Sequence, residues 1–277
     1  MRPSACTSVG TAARWHFRLA VGAFAAAAAA ELAGQALRGP IGAGPAGWLA
    51  LLGGAGWVVG LVWRERVGVI RAWLCAVWVM LTSLLVMSLA ERRGFLFGNL
   101  GFTGLELVAL ARVPLSVPLL WWLVVGGSYL VVEGLWGEWR AGVSVFTALI
   151  TVQLALMIMP FLSRLRGYWR WPADSNGSLP AGGGLFGMPW AVLAAWFSVG
   201  LALTFGLVVL GDNWSSAEER TRRQAWTPAA VLLTLTVVCL SANLLAGLWL
   251  AVAFSAANGV LFGAVLVWYL RDRGGAR

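Results

Sequence analysis

Residues 228–270 read PAAVLLTLTVVCLSANLLAGLWLAVAFSAANGVLFGAVLVWYL, forty-three positions without a charged side chain. A helix rises about 1.5 Å per residue, so about 20 residues cross the roughly 30 Å hydrocarbon layer of a bilayer. The run is therefore two crossings joined by a tight turn, either at Ala246-Gly247 or in Ser255-Ala256-Ala257-Asn258-Gly259, where small and turn-forming residues interrupt it. Lipid offers no partner for a backbone amide or carbonyl, so such segments must satisfy their own hydrogen bonds as helices.

Upstream the same pattern recurs. Apolar runs at about 19–37, 46–63, 72–90, 113–132, 141–163 and 185–210 are bounded by arginines. The reading is all-α: a polytopic membrane bundle of about eight transmembrane helices, one integral membrane domain over 1–277. Its polar remainders are an N-terminal tail (1–18), a loop (211–227) and a C-terminal tail (271–277). The first run follows Arg14 and Arg18 and contains Ala25 to Ala30. It admits two readings, a cleaved signal peptide or a retained helix, and the continuation from Leu32 to Leu37 favours retention.

Residues 91–112 fit no span. They carry glycines at 94, 98, 101 and 104 and charges at Glu91, Arg92, Arg93, Glu106 and Arg112. Glycine loosens a helix, so this segment is expected to be re-entrant or interfacial. The arginines agree. With eight spans and both termini on one side, thirteen arginines fall on that side and seven on the other; a ninth span at 95–111 would make it ten against ten. Arginine marks cytoplasmic loops, which predicts a multi-pass protein of the cell membrane with both termini cytoplasmic and the lipid bilayer as its first partner.

Composition excludes several chemistries. The chain is 60% hydrophobic and 11% charged, far from a soluble domain. All 20 basic residues are arginine, so neither a Schiff-base lysine nor a P-loop lysine exists. The charge of +9 lies between apolar spans, which argues against a nucleic-acid partner. Cys6, Cys75 and Cys239 form no CxxC or Cys/His cluster, and His16 is the lone histidine, so a metal site lacks its usual ligands. Acid–base work falls to carboxylates.

Glu31, Glu91, Glu106 and Glu133 lie inside or at the edge of apolar spans. An acid at that depth is costly and marks function by default, although snorkelling or pairing with an arginine explains it equally well. For Glu91 the nearest arginines are Arg92 and Arg93. A carboxyl group in apolar surroundings keeps its proton more readily and can act as a general acid. Of the 18 tryptophans, Trp48, Trp63, Trp136, Trp139, Trp214 and Trp226 sit near span ends, as interfacial anchors do. Arg164, Arg166, Tyr168, Trp169, Arg170 and Trp171 read as a similar belt at headgroup depth. Trp121, Trp122 and Trp196 lie beside proline and glycine, where flat rings can line a slot for an extended apolar ligand.

One arrangement of motifs is more specific. Glu91-Arg92-Arg93-Gly94, Gly98, Gly101, then Val113-Pro114, Pro118 and Trp121 resemble the carotenoid biosynthesis protein family of CruF-like membrane hydratases. Gly167-Tyr168-Trp169-Arg170-Trp171, Gly187-Met188-Pro189-Trp190 and Trp196-Phe197 follow the same family's second block. The resemblance implies hydration of the terminal double bond of an acyclic carotenoid to a tertiary alcohol, with no redox cofactor or metal. It implies Glu91 as first choice for the acid, and Gly94, Pro114, Trp121, Tyr168, Trp169, Trp171, Pro189 and Trp196 as the residues shaping the site for an apolar polyene. The chain departs from the pattern at Met159, Thr103, Leu105, Val192 and Ala195, where polar or distinctive residues have become apolar or small. Two readings follow: the acid has moved to Glu106 or Asp174, or the chain is a divergent paralogue with a lost or altered reaction. Beside the hydratase stand a non-catalytic polyene- or lipid-binding scaffold for other pigment-biosynthesis enzymes and a transporter. The last lacks the paired interrupted helices such folds carry.

Overall fold

A computed structural model of the chain describes residues 6–98, 100–104, 108–136, 139–171, 184–185, 188–211 and 226–275. Among them are eight helices long and apolar enough to cross a membrane. In chain order they are α1 (Cys6–Arg38), α2 (Gly44–Val67), α3 (Val69–Arg93), α4 (Ser116–Trp136), α5 (Arg140–Leu165), α6 (Trp190–Gly211), α7 (Trp226–Leu245) and α8 (Trp249–Gly275). The apolar runs in the sequence locate all eight; most ends shift by a few residues, but α1 already begins at Cys6 and α8 runs to Gly275, so most of the residues expected as N- and C-terminal tails continue those helices.

The boundaries have local causes. Gly68, at φ 83°, ends α2, and Gly94, at φ 64°, takes the left-handed conformation that closes α3 and returns its amide to the Ala90 carbonyl at 2.9 Å. The turn in the long charge-free run falls at Ala246–Leu248, with Gly247 at φ 68°. The second turn position considered from sequence lies inside α8, where Asn258 is buried and donates to the Gln153 carbonyl at 3.4 Å. Asn243 donates to the Met157 carbonyl at 3.2 Å. Both asparagines thus pin the last hairpin to α5, the usual work of amides between helices in lipid.

Helix α4 is the hub, buried over most of its length and packed against α2, α3, α5 and α7. Its turn Trp122–Gly126 is a π-helical widening, and a second one, Phe161–Leu165, follows Pro160 in α5. Such a widened turn shifts the hydrogen-bond ladder and re-aims side chains. At the first, the Trp122 indole donates to the Gly56 carbonyl at 3.1 Å and the Trp63 indole to the Gly126 carbonyl at 3.3 Å, so α2 and α4 are bonded reciprocally. Trp48 and Trp63, expected as interfacial anchors, are therefore core residues, at 1% and 0% exposure, while Trp136 and Trp139 remain exposed. A tryptophan near a span end packs inward when an indole acceptor or a ring is waiting there, and Trp48 meets Phe161 at 5.1 Å.

Residues 94–115 contain no membrane-length helix among those described. The glycine-rich segment instead forms β1 (Gly101–Phe102) and a hairpin of β2 (Ala109–Leu110) and β3 (Val113–Pro114). Its two-residue turn, Ala111-Arg112, has φ of 50° and 70° at both central positions, the geometry that suits a tight hairpin. Strand β1 pairs antiparallel with β4 (Trp169–Arg170), Gly101 opposite Arg170 and Phe102 opposite Trp169. Two further short strands, β5 (Gly184–Leu185) and β6 (Met188–Pro189), lead into α6.

Candidate functional site

The ends of α1, α3, α5 and α7 and the starts of α2, α4, α6 and α8 lie at one end of the bundle, and the motif residues gather there. Phe97, three residues past the α3 cap, is buried and set edge-on to Trp121 (6.4 Å, 80°) and Trp196 (6.3 Å, 87°). Those two tryptophans stack at 4.2 Å and 13°. The Trp171 indole donates to the Phe97 carbonyl at 3.0 Å, and Trp169 lies edge-on to Phe102 at 5.9 Å. The Tyr168 carbonyl accepts from both the amide (3.1 Å) and the hydroxyl (3.3 Å) of Thr103. Trp121, Tyr168, Trp169, Trp171 and Trp196 thus belong to one assembly that clips the glycine-rich segment to the segment after α5. Gly94 sets the turn that delivers Phe97, Pro114 is buried in β3 against α3, and half-buried Pro189 opens α6.

The slot expected between flat rings is closed: Trp121 and Trp196 face each other and both are fully buried. The indole N–H groups of Trp121, Trp169 and Trp196 are buried without a hydrogen-bond partner among the described residues. Phe97, at the centre, carried no signal in the sequence beyond its place among glycines.

The carboxylates separate clearly. Glu91 sits in the last turn of α3 with its side chain 19% exposed; Oε1 is 3.9 Å from Nη1 of Arg112, and Oε2 is buried with no hydrogen-bond partner among the described residues. The arginine that reaches Glu91 comes from the hairpin turn, in place of its sequence neighbours Arg92 and Arg93. Arg112 is 75% exposed, so this is a loose, solvent-screened contact. Glu133, by contrast, is ion-paired with Arg66 in the opposite half of the bundle, both buried. Glu106 and Asp174 lie outside the described residues.

Glu31 is the most enclosed acid. It is ion-paired with Arg166 and accepts from the Ala43 amide (3.3 Å) and Gln35 Nε2 (3.3 Å). Gln35 Nε2 also donates to the Val238 carbonyl at 3.2 Å, and the Ser241 hydroxyl donates to Gln35 Oε1. Arg166 donates further to the Gly44 carbonyl (2.8 Å) and the Tyr168 hydroxyl (3.2 Å), among the rings of Trp48, Phe161 and Tyr168 at 5.5, 4.7 and 5.7 Å. The expected basic and aromatic belt at headgroup depth is therefore partly an interior structure: Arg166, Tyr168 and Trp169 are buried, and Arg170 is exposed. The widened turn after Pro160 swings Arg166 towards α1.

The fold and this end of it define a polytopic, all-α membrane bundle with a tryptophan-rich end and one loosely held carboxyl group. Residues 46–262 match the family described as carotenoid biosynthesis protein, and the chain belongs to that family, with a role in carotenoid biosynthesis. No curated protein and no solved structure gives a significant match. The matched region contains every motif residue named above but leaves α1 outside.

Proposed function

We propose that the protein hydrates the terminal double bond of an acyclic carotenoid at this end of the bundle, with Glu91 as the acid. The carrying observation is the contrast among the described membrane-edge acids: Glu31 and Glu133 are held in buried ion pairs, whereas Glu91, in the last turn of the helix that leads into Phe97, has only the loose 3.9 Å contact with exposed Arg112. The protonated Glu91 gives its proton to the less substituted carbon of the terminal alkene, whose π pair becomes the new C–H bond. Positive charge then develops at the tertiary carbon, where an aromatic face stabilises it; Trp121 and Trp196 are buried against each other, so they serve this role only when the end group parts their stack. A water lone pair forms the C–O bond, and the surplus proton of that water returns to the Glu91 carboxylate. The net change is one water added, with no oxidant or reductant consumed.

Arginine distribution supports placing this end on the non-cytoplasmic side of the cell membrane, with both termini cytoplasmic. The polyene would remain in the bilayer with only its end group in the site, beside other pigment-biosynthesis enzymes. The test is expression in cells that accumulate lycopene or another acyclic carotenoid. A more polar pigment heavier by one water supports the reading, and unchanged pigment with protein in the membrane refutes it. A second reading, a non-catalytic polyene binder, is favoured by the closed Trp121–Trp196 stack and by Thr103, whose hydroxyl is spent on the Tyr168 carbonyl. It predicts pigment that co-purifies unchanged.

A further inference from the structure

We infer that the first helix is a working part of this site and that Glu31 is a positioning residue: by anchoring Arg166 it sets Tyr168, and with it the strand pair that holds the glycine-rich segment in place. The chain of contacts is continuous. Glu31 on α1 pairs with Arg166; Arg166 donates to the Tyr168 hydroxyl; the Tyr168 carbonyl receives both donors of Thr103; and Thr103 directly follows β1, which pairs with β4. The Glu31–Arg166, Thr103–Tyr168 and β1–β4 links each join segments more than 60 residues apart in the chain.

The burial is too complete for a decorative ion pair. The side chains of Glu31 and Arg166 are 0% and 1% exposed. Removing either partner leaves a charge stranded in a low-dielectric interior, which proteins avoid. The surroundings are built for this pair: Gln35 and the Ala43 amide serve Glu31, Gly44 and Tyr168 serve Arg166, and a Cβ on Gly42 would collide with the Glu31 carboxylate. Gly42 sits at φ 62° in the α1–α2 connection, so the backbone there is shaped around the acid. The inference predicts that the first apolar run is retained as α1, because a cleaved leader would take Glu31 away and leave Arg166 unneutralised.

Two roles are separable. If Glu31 merely cancels the Arg166 charge, removing both charges together restores the wild-type arrangement. If the pair positions Tyr168, the double variant regains folding but not the strand pairing. Gly101 and Arg170 are Cα partners in that pairing, so a Gly101→Cys/Arg170→Cys protein in membranes forms a disulfide at a rate that reports it. Thiol counting by mass-tagged maleimide reads the reaction in a background where Cys6, Cys75 and Cys239 are replaced by serine or alanine, with each protein carrying only one of the two new cysteines as control. We expect crosslinking at least tenfold slower with Glu31→Gln, and still at least fivefold slower with Glu31→Gln/Arg166→Gln even though its membrane level matches wild type; Glu31→Asp, which keeps the charge, should recover most of the rate. Wild-type crosslinking in the double variant, or an α1 absent from the mature membrane protein, overturns the inference. The consequence for turnover rests on the hydration reading: product in lycopene-accumulating cells should fall with the crosslinking rate. Failure of the wild-type protein to make product would reject hydration alone, since the crosslink is scored without it.

Discussion

Replacing Trp196 by alanine strikes the centre of the aromatic assembly. The ring is 0% exposed, stacked on Trp121 at 4.2 Å and edge-on to Phe97 at 6.3 Å. In soluble proteins a buried Trp→Ala change costs about 3–5 kcal/mol, of which each well-oriented ring pair supplies about 0.5–1.5. Here unfolding delivers helices into lipid, where transfer to water contributes little and packing dominates. The expected loss is therefore near the lower end, about 3 kcal/mol, with about 1–2 of it from the two ring contacts. Trp196→Phe keeps a flat ring and should lose only about 1 kcal/mol. Unfolding in mixed detergent–SDS micelles measures each value, and the double-mutant cycle with Trp121→Ala should show a coupling of about 1 kcal/mol. A Trp196→Ala loss below about 1 kcal/mol, or strictly additive single changes, would refute the packed trio.

Three further outcomes follow from other parts of the bundle. Glu91→Gln should lower product formation by about 10²–10⁴-fold with protein level unchanged, measured by pigment chromatography, because a positioned general acid supplies about that much; full activity would remove Glu91 from the role. Arg66→Met or Glu133→Leu alone should each destabilise by about 3–5 kcal/mol in the same detergent assay, and together they should recover most of it, since each single change strands a buried charge. Gly34→Ala should disturb the α1–α2 packing, because its Cβ would lie 2.5 Å from the Ala43 backbone nitrogen, whereas Gly53→Ala meets nothing within 4 Å inside α2 and should gain about 0.5–1 kcal/mol. Thermal aggregation of the two variants in detergent distinguishes them.

The crossings were legible because lipid imposes one rule on every segment: an apolar run of helix length bounded by arginines. Residues 228–270 needed only that rule and a glycine at 247 to resolve into α7 and α8. The glycine-rich segment was legible as an exception, yet its strands were not, since β1 finds its partner in β4, some 70 residues away in the chain. The motif tryptophans were visible as a group. Their packing was not, because residue type alone does not distinguish a ring at the lipid interface from one buried against another ring, as Trp48 and Trp63 show. The charged pairs were least legible. Arg166 looked like a headgroup arginine among its neighbours Arg164 and Arg170, and only the widened turn after Pro160 turns it inward to Glu31. A hint was present: both Glu31 and Gln35 are polar, lie four residues apart on one helix face and interrupt an otherwise apolar run.

The most direct measurement is the origin of the oxygen in the product. Lycopene-accumulating cells expressing the protein, grown in oxygen-18 water under ordinary air, should yield a tertiary alcohol that carries the label in full and gains the mass of one labelled water. A pigment left unchanged, or a hydroxyl whose oxygen comes unlabelled from air, would contradict hydration at this site.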